Sequence, residues 1–484
     1  MRISKMTLLV GFPLVLGACA TAIPTEYTKP KAGFANIAGQ ISPAIGKQTV
    51  FAETQAENEV LRKQVHDMVH RKTISADTAV QVALFNNKGL QASYAEVGLA
   101  ATEAWQQATP LNPVVSIGVL GIGAPELGAY RAIEGLIRMD LLNIKTRKKR
   151  MEISDASFRL AQLSAVNDTL TLANQTRLAW VEAVAAFESV NYLEQAKATS
   201  DAGSELAQKL GETGALNSAG QAREHAFNAE LAGQLAQGRL KAMQAKENLT
   251  QLMGLWGTEV DYYVPNTLPT LPTSIDSIAN IEGSALKNRL DLRVAQLGLE
   301  AQAKAYGLTE QTRIVSDLEI VAGAEREREK DGSSNTTPQI ELEFAIPIYD
   351  TGKARMRTAE LKYLQAANVL AQRAVSVRSE ARSAKASYDA SYKIARHYRD
   401  VLVPLRETVE EEGLLSYNGM ITNTFELLTD TREKLSAYLE AANAKREFYL
   451  AQAGVSAAIY GGGAGSSGAS GEGTTLAAGG GAGH

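Results

Sequence analysis

Residues 340–355 read IELEFAIPIYDTGKAR, and within a few positions they pass from one kind of structure to another. Ile340, Leu342, Phe344 and Ile346 alternate with Glu341, Glu343 and Ala345. A period of two with one apolar face marks a strand, because successive side chains leave a strand on opposite sides. Pro347 lacks the N–H that a ladder needs and ends the strand. Asp350, Thr351 and Gly352 supply turn chemistry, and a basic, helix-forming run begins at Lys353. The stretch therefore predicts a two-faced strand hinged directly to a helix.

The same alternation occurs elsewhere. Val115, Ile117 and Val119 alternate with Ser116 and Gly118; Ile133, Ile137 and Met139 alternate with Glu134, Arg138 and Asp140. Leu318, Ile320, Ala322 and Ala324 alternate with Asp317, Glu319 and Glu325. The predicted strands span residues 113–123, 130–142, 315–325 and 338–348. Segments of about 9–11 residues suit a tilted strand that crosses hydrocarbon. Soluble hairpins half-buried against helices show the same alternation, so the rest of the chain has to weigh between the two.

The helices weigh on the membrane side. Prolines stand at 110, 113 and 125 and next at 265, 269 and 272, and Ala, Leu, Gln, Glu, Lys and Arg dominate the stretch between. From residue 153 to 210 the isolated Gly203 is the one strong breaker, which predicts a helix of about 55 residues and about 80 Å. Gly211 and Gly214 mark its turn, and a second run, 219–253, returns and stops at Gly254. Such lengths exceed what a compact core can pack and suit a coiled-coil-like barrel.

The chain also repeats itself at an interval of about 200 residues, the scale of a duplicated half rather than a solenoid unit. ALFNNKGL (83–90) echoes ALKNRLDL (285–292), GALNS (214–218) echoes GMITN (419–423), and AKENLTQLMG (245–254) echoes KREFYLAQAG (445–454). The order is the same each time. The expected organisation is a first repeat over 74–258 with a helical tip at 211–218, a Pro-rich linker at 259–280, and a second repeat over 281–460 with a tip at 416–423.

At the N-terminus, Arg2 and Lys5 precede an apolar run that is too short to span a bilayer and reads as a signal peptide over 1–18. It ends in Leu16, Gly17, Ala18 and Cys19. Small residues before a cysteine resemble a bacterial lipobox, which would make Cys19 the acylated anchor of a segment over 19–73; each buried acyl methylene adds about 0.8 kcal/mol. Residues 461–484 are mostly Gly, Ala and Ser and are expected to be disordered. No other stretch reaches the roughly 18 apolar residues of a transmembrane helix, so any membrane passage is by strands.

The 484 residues carry a net charge of −4 and one cysteine, which give no reason to propose nucleic acid and exclude an intrachain disulfide. No phosphate loop, nucleophile elbow or cysteine cluster appears, and no catalytic residue or cofactor is assigned. His66 and His70 have the i, i+4 spacing of a metal pair but lack an evident third ligand, so no metal site is assigned. If the apolar strand faces meet lipid, four strands cannot close a barrel, and the chain has to oligomerise; three copies would give twelve strands.

This order of parts resembles the TolC-like outer-membrane efflux factor family over residues 74–458. The signatures are the opening at 79–90, PIYDTGKAR at 347–355, the tip segment 419–428, and LTQLMGLWG at 249–257. The resemblance implies a mainly α protein with a small β part, a homotrimer whose twelve strands form an outer-membrane barrel continued by a twelve-helix periplasmic tunnel. It also implies a periplasmic adaptor and an inner-membrane pump as partners, with passive exit of small molecules. The lipidated subgroup that serves resistance-nodulation-division pumps fits Cys19 best.

On this reading Glu134, Asp140, Asp317, Glu319, Glu341 and Glu343 line the pore and bias it toward cations. Gly214, Asn217, Gly419, Thr422, Asn423, Glu426 and Asp430 form the tip that gates the tunnel and receives the adaptor. Phe425 and Leu428 stand where some members carry gate aspartates, and Glu426, Asp430, Arg223 and Arg432 are candidates for a different ion-pair network. Basic residues at 145–150 and at Lys353, Arg355 and Arg357 are either solvated helix ends or contacts to phospholipid headgroups. Two alternatives stay open: the outer-membrane component of a type I protein-secretion system, and a periplasmic coiled-coil structural lipoprotein.

Overall fold

The computed structural model describes residues 23–123, 130–214, 216–275, 277–329, 331–419 and 424–462. Cys19, the tail beyond Gly462, Thr422 and Asn423 lie outside these residues. The chain is mostly helical with a small sheet. Helices α1 (Phe34–Ile45), α2 (Gln55–Val69), α3 (Ala76–Asn86) and α4 (Lys88–Ala108) lead to strands β1 (Val114–Leu120) and β2 (Ala132–Asp140). There follow α5 (Leu141–Glu212), α6 (Ser218–Met253), α7 (Ile281–Asn288) and α8 (Leu290–Gln311). Strands β3 (Leu318–Arg328) and β4 (Ser334–Phe344) precede α9 (Lys353–His397), α10 (Val403–Asn418) and α11 (Thr424–Tyr460). Two short helices, two strands and long helices thus occur twice in the same order.

Two compact units make up the chain. One gathers the described residues up to Asn36 with Ala95–Leu163 and Arg293–Gln372, and it contains the whole sheet. Its strands are antiparallel in the order β1-β2-β3-β4. The β2–β3 pairing joins the two halves of the sequence, and β1 and β4 are left as open edges.

The strand windows read from the sequence overlap the observed strands but do not coincide with them. β3 runs to Arg328 and β4 starts at Ser334, so the hairpin reaches into the charge-rich segment expected to be loop, with Arg326 paired to Thr336 and Arg328 to Ser334. β4 ends at Phe344, short of the expected 348. Pro338 sits inside β4 opposite Ala324, which an edge strand tolerates because one of its sides needs no donors.

The other unit comprises Ile37–Tyr94, Ser164–Leu292 and the chain from Arg373 onward. Its core packs Leu271, Ile281, Val377, Tyr388, Tyr392 and Phe448, with the rings of Tyr388 and Tyr392 each 5.6 Å from that of Phe448. The Pro-rich linker is held largely by its carbonyls, since proline offers no N–H. Tyr392 donates to the carbonyl of Thr273 (2.7 Å) and Tyr449 to that of Thr270 (3.0 Å). The backbone N–H of Leu268 donates to the buried carboxylate of Glu188 (2.9 Å), which also pairs with Lys445 (2.9 Å).

The "ALFNN" opening acts at a helix end. Asn86 donates to the carbonyls of Met253 and Gly254 and Asn87 to that of Leu252, at 3.2, 2.6 and 2.9 Å. They satisfy the carbonyls that the end of α6 leaves free. Gly254 takes the left-handed conformation there, with φ at 66°, and a Cβ on it would lie 3.0 Å from the carbonyl oxygen of Asn86. Between α9 and α10 a π-helical turn spans Tyr398–Leu402. Pro404 begins the next helix and cannot donate to the carbonyl four residues back, and the wider turn absorbs that loss.

Candidate functional site: a two-faced sheet and a helical tip

Directly paired residues of an antiparallel sheet share a face, so the register sorts the strands into two surfaces. One carries Val115, Ile117 and Val119 of β1, Ile133, Ile137 and Met139 of β2, Ile320, Ala322 and Ala324 of β3, and Ile340, Leu342 and Phe344 of β4. Much of this apolar surface is bare: Ile117 is 76% exposed, Ile340 78% and Leu342 57%. A soluble hairpin would turn this side onto helices, whereas here the edge-strand residues on it stand exposed.

The other surface is acidic. It carries Glu134, Asp140, Glu319, Glu341 and Glu343, together with Glu325 and Glu327, which the sequence reading left out of the candidate set. Asp317 is exposed and lies just before β3. Arg138 shares this face and bridges Glu319 (3.4 Å) and Glu343 (3.8 Å), while Glu134 accepts a hydrogen bond from Gln339 (2.7 Å). Asp140 has a structural task as well, because its Oδ1 accepts the N–H of Asn143 (2.7 Å) and caps the first turn of α5. Gly323 is required on this surface: a Cβ there would meet the carbonyl oxygen of Gly135 at 2.1 Å.

The strand-to-helix turns were only partly legible. The basic run 145–150 lies inside α5, which starts at Leu141 and not near residue 153. Arg147 is buried and donates to the carbonyl of Ala108 at the end of α4 (2.8 Å), and Arg150 donates to Asn143. Lys145 and Lys148 are the exposed members. In the second half, Asp350 accepts the N–H of Gly352 (2.8 Å), and Gly352 has φ at +71° with the carbonyl oxygen of Arg313 2.5 Å from where a Cβ would be. Glycine alone fits that turn.

At the first tip, Gly214 has φ at 76° and Asn217 caps α6 by accepting the N–H of Gly220 (2.8 Å). Gly419 caps α10. Glu426 is exposed in the first turn of α11. Asp430 packs against α10 where Gly413 leaves room: a Cβ there would stand 2.9 Å from its Oδ2. Arg432 is joined to Glu224 of α6 (2.9 Å), a partner absent from the sequence-based network, and its guanidinium lies 3.8 Å from the centre of the Phe227 ring. His66 and His70 stack with centroids 4.5 Å apart, and no group of three metal-ligating side chains occurs among the described residues.

A mostly helical chain with duplicated halves and an open antiparallel sheet, bare on its apolar side, has the TolC-like fold. Solved structures agree. The chain is similar to the outer-membrane channel OprN, with 17% identity over 85% of this chain and 93% of that one and a TM-score of 0.68. It is similar to the Campylobacter jejuni CmeC outer-membrane channel at 18% identity, covering 80% and 86% with a TM-score of 0.62. The Neisseria gonorrhoeae MtrE outer-membrane channel in its open state matches at 15% identity, 80% and 89% coverage and a TM-score of 0.63. No protein-family model matches the chain, and no curated protein does.

Proposed function

We propose that the chain is one protomer of a trimeric outer-membrane duct, the exit component of a tripartite efflux system. Three copies of the four-stranded sheet would close edge to edge into a twelve-stranded barrel, with β4 of one copy antiparallel to β1 of the next. The long helices of each copy continue the duct through the periplasm as a twelve-helix tunnel. An adaptor meets the tips around Gly214, Asn217, Gly419, Thr422, Asn423, Glu426 and Asp430, and an inner-membrane pump supplies the energy. Cys19 carries the acyl anchor. The chain performs no catalysis; small molecules pass through it passively.

The observation that carries this reading is the sheet. Its apolar face is bare and both edges are unpaired, an arrangement that water penalises and that lipid plus neighbouring copies would satisfy. The inward surface would then repeat Glu134, Glu319, Glu325, Glu341 and Glu343 three times and favour cations. Purified protein in a planar bilayer under a salt gradient tests both parts. Discrete conductance steps with a cation-selective reversal potential are expected; no steps would contradict the duct, and anion preference would contradict the acidic lumen.

A further inference from the structure

We infer that the sheet rim farthest from the helices binds the phosphate groups of a phosphorylated glycolipid in the outer leaflet of the membrane. Helices α4, α5, α8 and α9 join the sheet at one rim, before Val114, after Asp140, before Leu318 and after Phe344. At the opposite rim β3 continues past Ala324 as Glu325, Arg326, Glu327 and Arg328. Side chains alternate between the faces of a strand, so this run is sorted by sign. Glu325 and Glu327 join the acidic surface, whereas Arg326 and Arg328 extend the row of Leu318, Ile320, Ala322 and Ala324 on the apolar one. Arg131, just before β2, stands opposite Arg328, whose N–H donates to its carbonyl (2.9 Å). All three arginines are exposed.

The inference rests on the duct reading, which turns the apolar face to lipid and puts this rim outward, because the helices leave the other rim for the periplasm. A strand tilted by about 40° climbs about 21 Å between Leu318 and Arg326, close to the roughly 25 Å apolar band of such barrels. Arg326 and Arg328 therefore stand where hydrocarbon gives way to headgroups. Their protein partners leave them charged and open. Arg326 donates to the Ser334 hydroxyl (2.9 Å), and the Arg328 guanidinium lies 5.5 Å from the centre of the Tyr130 ring. Among the described residues neither forms an ion pair. Arg131 makes a loose, exposed pair with Glu327 (3.7 Å), which contributes little. Like charges directly opposite one another in a sheet are unfavourable. A phosphate held between Arg131 and Arg328 would relieve that repulsion and accept paired hydrogen bonds from the guanidinium forks.

Purified full-length protein in an uncharged detergent is titrated, with native mass spectrometry as the readout, with diphosphoryl lipid A, with the same lipid stripped of both phosphates, and with phosphatidylglycerol. Diphosphoryl lipid A should bind at least about 10-fold more tightly than the stripped lipid, the scale of one charge-assisted hydrogen bond, and more tightly than phosphatidylglycerol. Arg326→Gln with Arg328→Gln should lower its affinity at least about 10-fold. Arg62→Gln with Lys63→Gln, the same charge change at exposed positions of α2, should leave it unchanged. If the first pair fails to fold, Arg326→Lys with Arg328→Lys keeps the charge, loses the forks and should still bind more weakly than wild type. Equal binding of the phosphorylated and stripped lipids, or equal loss in the two glutamine pairs, would overturn the site. Complete displacement by inorganic phosphate, or equal affinity for phosphatidylglycerol, would overturn the glycolipid assignment. Planar-bilayer conductance of the same preparations separates the two readings: steps without a lipid preference overturn the site and leave the duct, whereas no steps overturn both.

Discussion

Ile340→Lys distinguishes a lipid-facing sheet from a water-facing one. Ile340 belongs to a row that crosses the sheet through Val115, Ile137 and Ala322 on the apolar side. It is 78% exposed, so lysine has room and few protein contacts are lost. On a water-facing sheet such a change stays within about 0.5 kcal/mol. At mid-depth in hydrocarbon the same lysine costs about 2–4 kcal/mol per chain, and three copies in one barrel bring that to about 6–12 kcal/mol. Glu341→Gln, one residue away on the opposite face, should change little. The assay is folding of purified protein into phosphatidylcholine vesicles over a urea series, read by heat-modifiable migration on gels. Ile340→Lys should lower the midpoint strongly and Glu341→Gln should not. Indistinguishable midpoints for the two variants and wild type would refute the lipid-facing assignment.

Other parts of the structure give further expectations. Lys445→Met leaves the buried Glu188 carboxylate with the Leu268 N–H but no cation, so it should destabilise by about 3–5 kcal/mol; Glu188→Gln keeps an acceptor and should cost less, as thermal unfolding will show. Burial alone would raise the pKa of Asp291, but hydrogen bonds and charge from Arg289 and Arg373 outweigh it and hold the carboxyl below its ordinary range. The stability it contributes should therefore be fully present above the ordinary aspartate range, fall progressively as pH drops below that range, and be gone once pH has passed the depressed value; Asp291→Asn should remove that part of the acid limb in a pH series of unfolding midpoints. Neutralising both Glu426 and Asp430 should raise leak conductance in planar bilayers if the tip holds the gate, and unchanged conductance would count against them.

The sheet's two faces were legible because alternation is a local property: Ile340, Leu342 and Phe344 announce the apolar side, and Glu341 and Glu343 the other. The ends of β3 and β4 were not, because Arg326–Thr336 and Arg328–Ser334 pair through backbone groups while their side chains show no apolar alternation. The start of α5 was hidden for a related reason. Its basic first turns look like a solvated turn, yet Asp140 caps the helix and Arg147 is drawn inward to the end of α4. At the tip, Gly214 could be read from turn chemistry, whereas Asn217 was placed there by the resemblance and its role as the cap of α6 was not read. The Arg432–Glu224 pair could not be read, since its members are 208 positions apart.

The most direct test of the account is the environment of neighbouring positions on β4. Nitroxide labels at 340 and 341, introduced singly in place of Ile340 and Glu341 of protein reconstituted in bilayers, are compared for collision with oxygen and with a water-soluble nickel chelate. The account predicts that the label at 340 is relaxed by oxygen and shielded from nickel, and the label at 341 the reverse. Nickel access at both positions would contradict it.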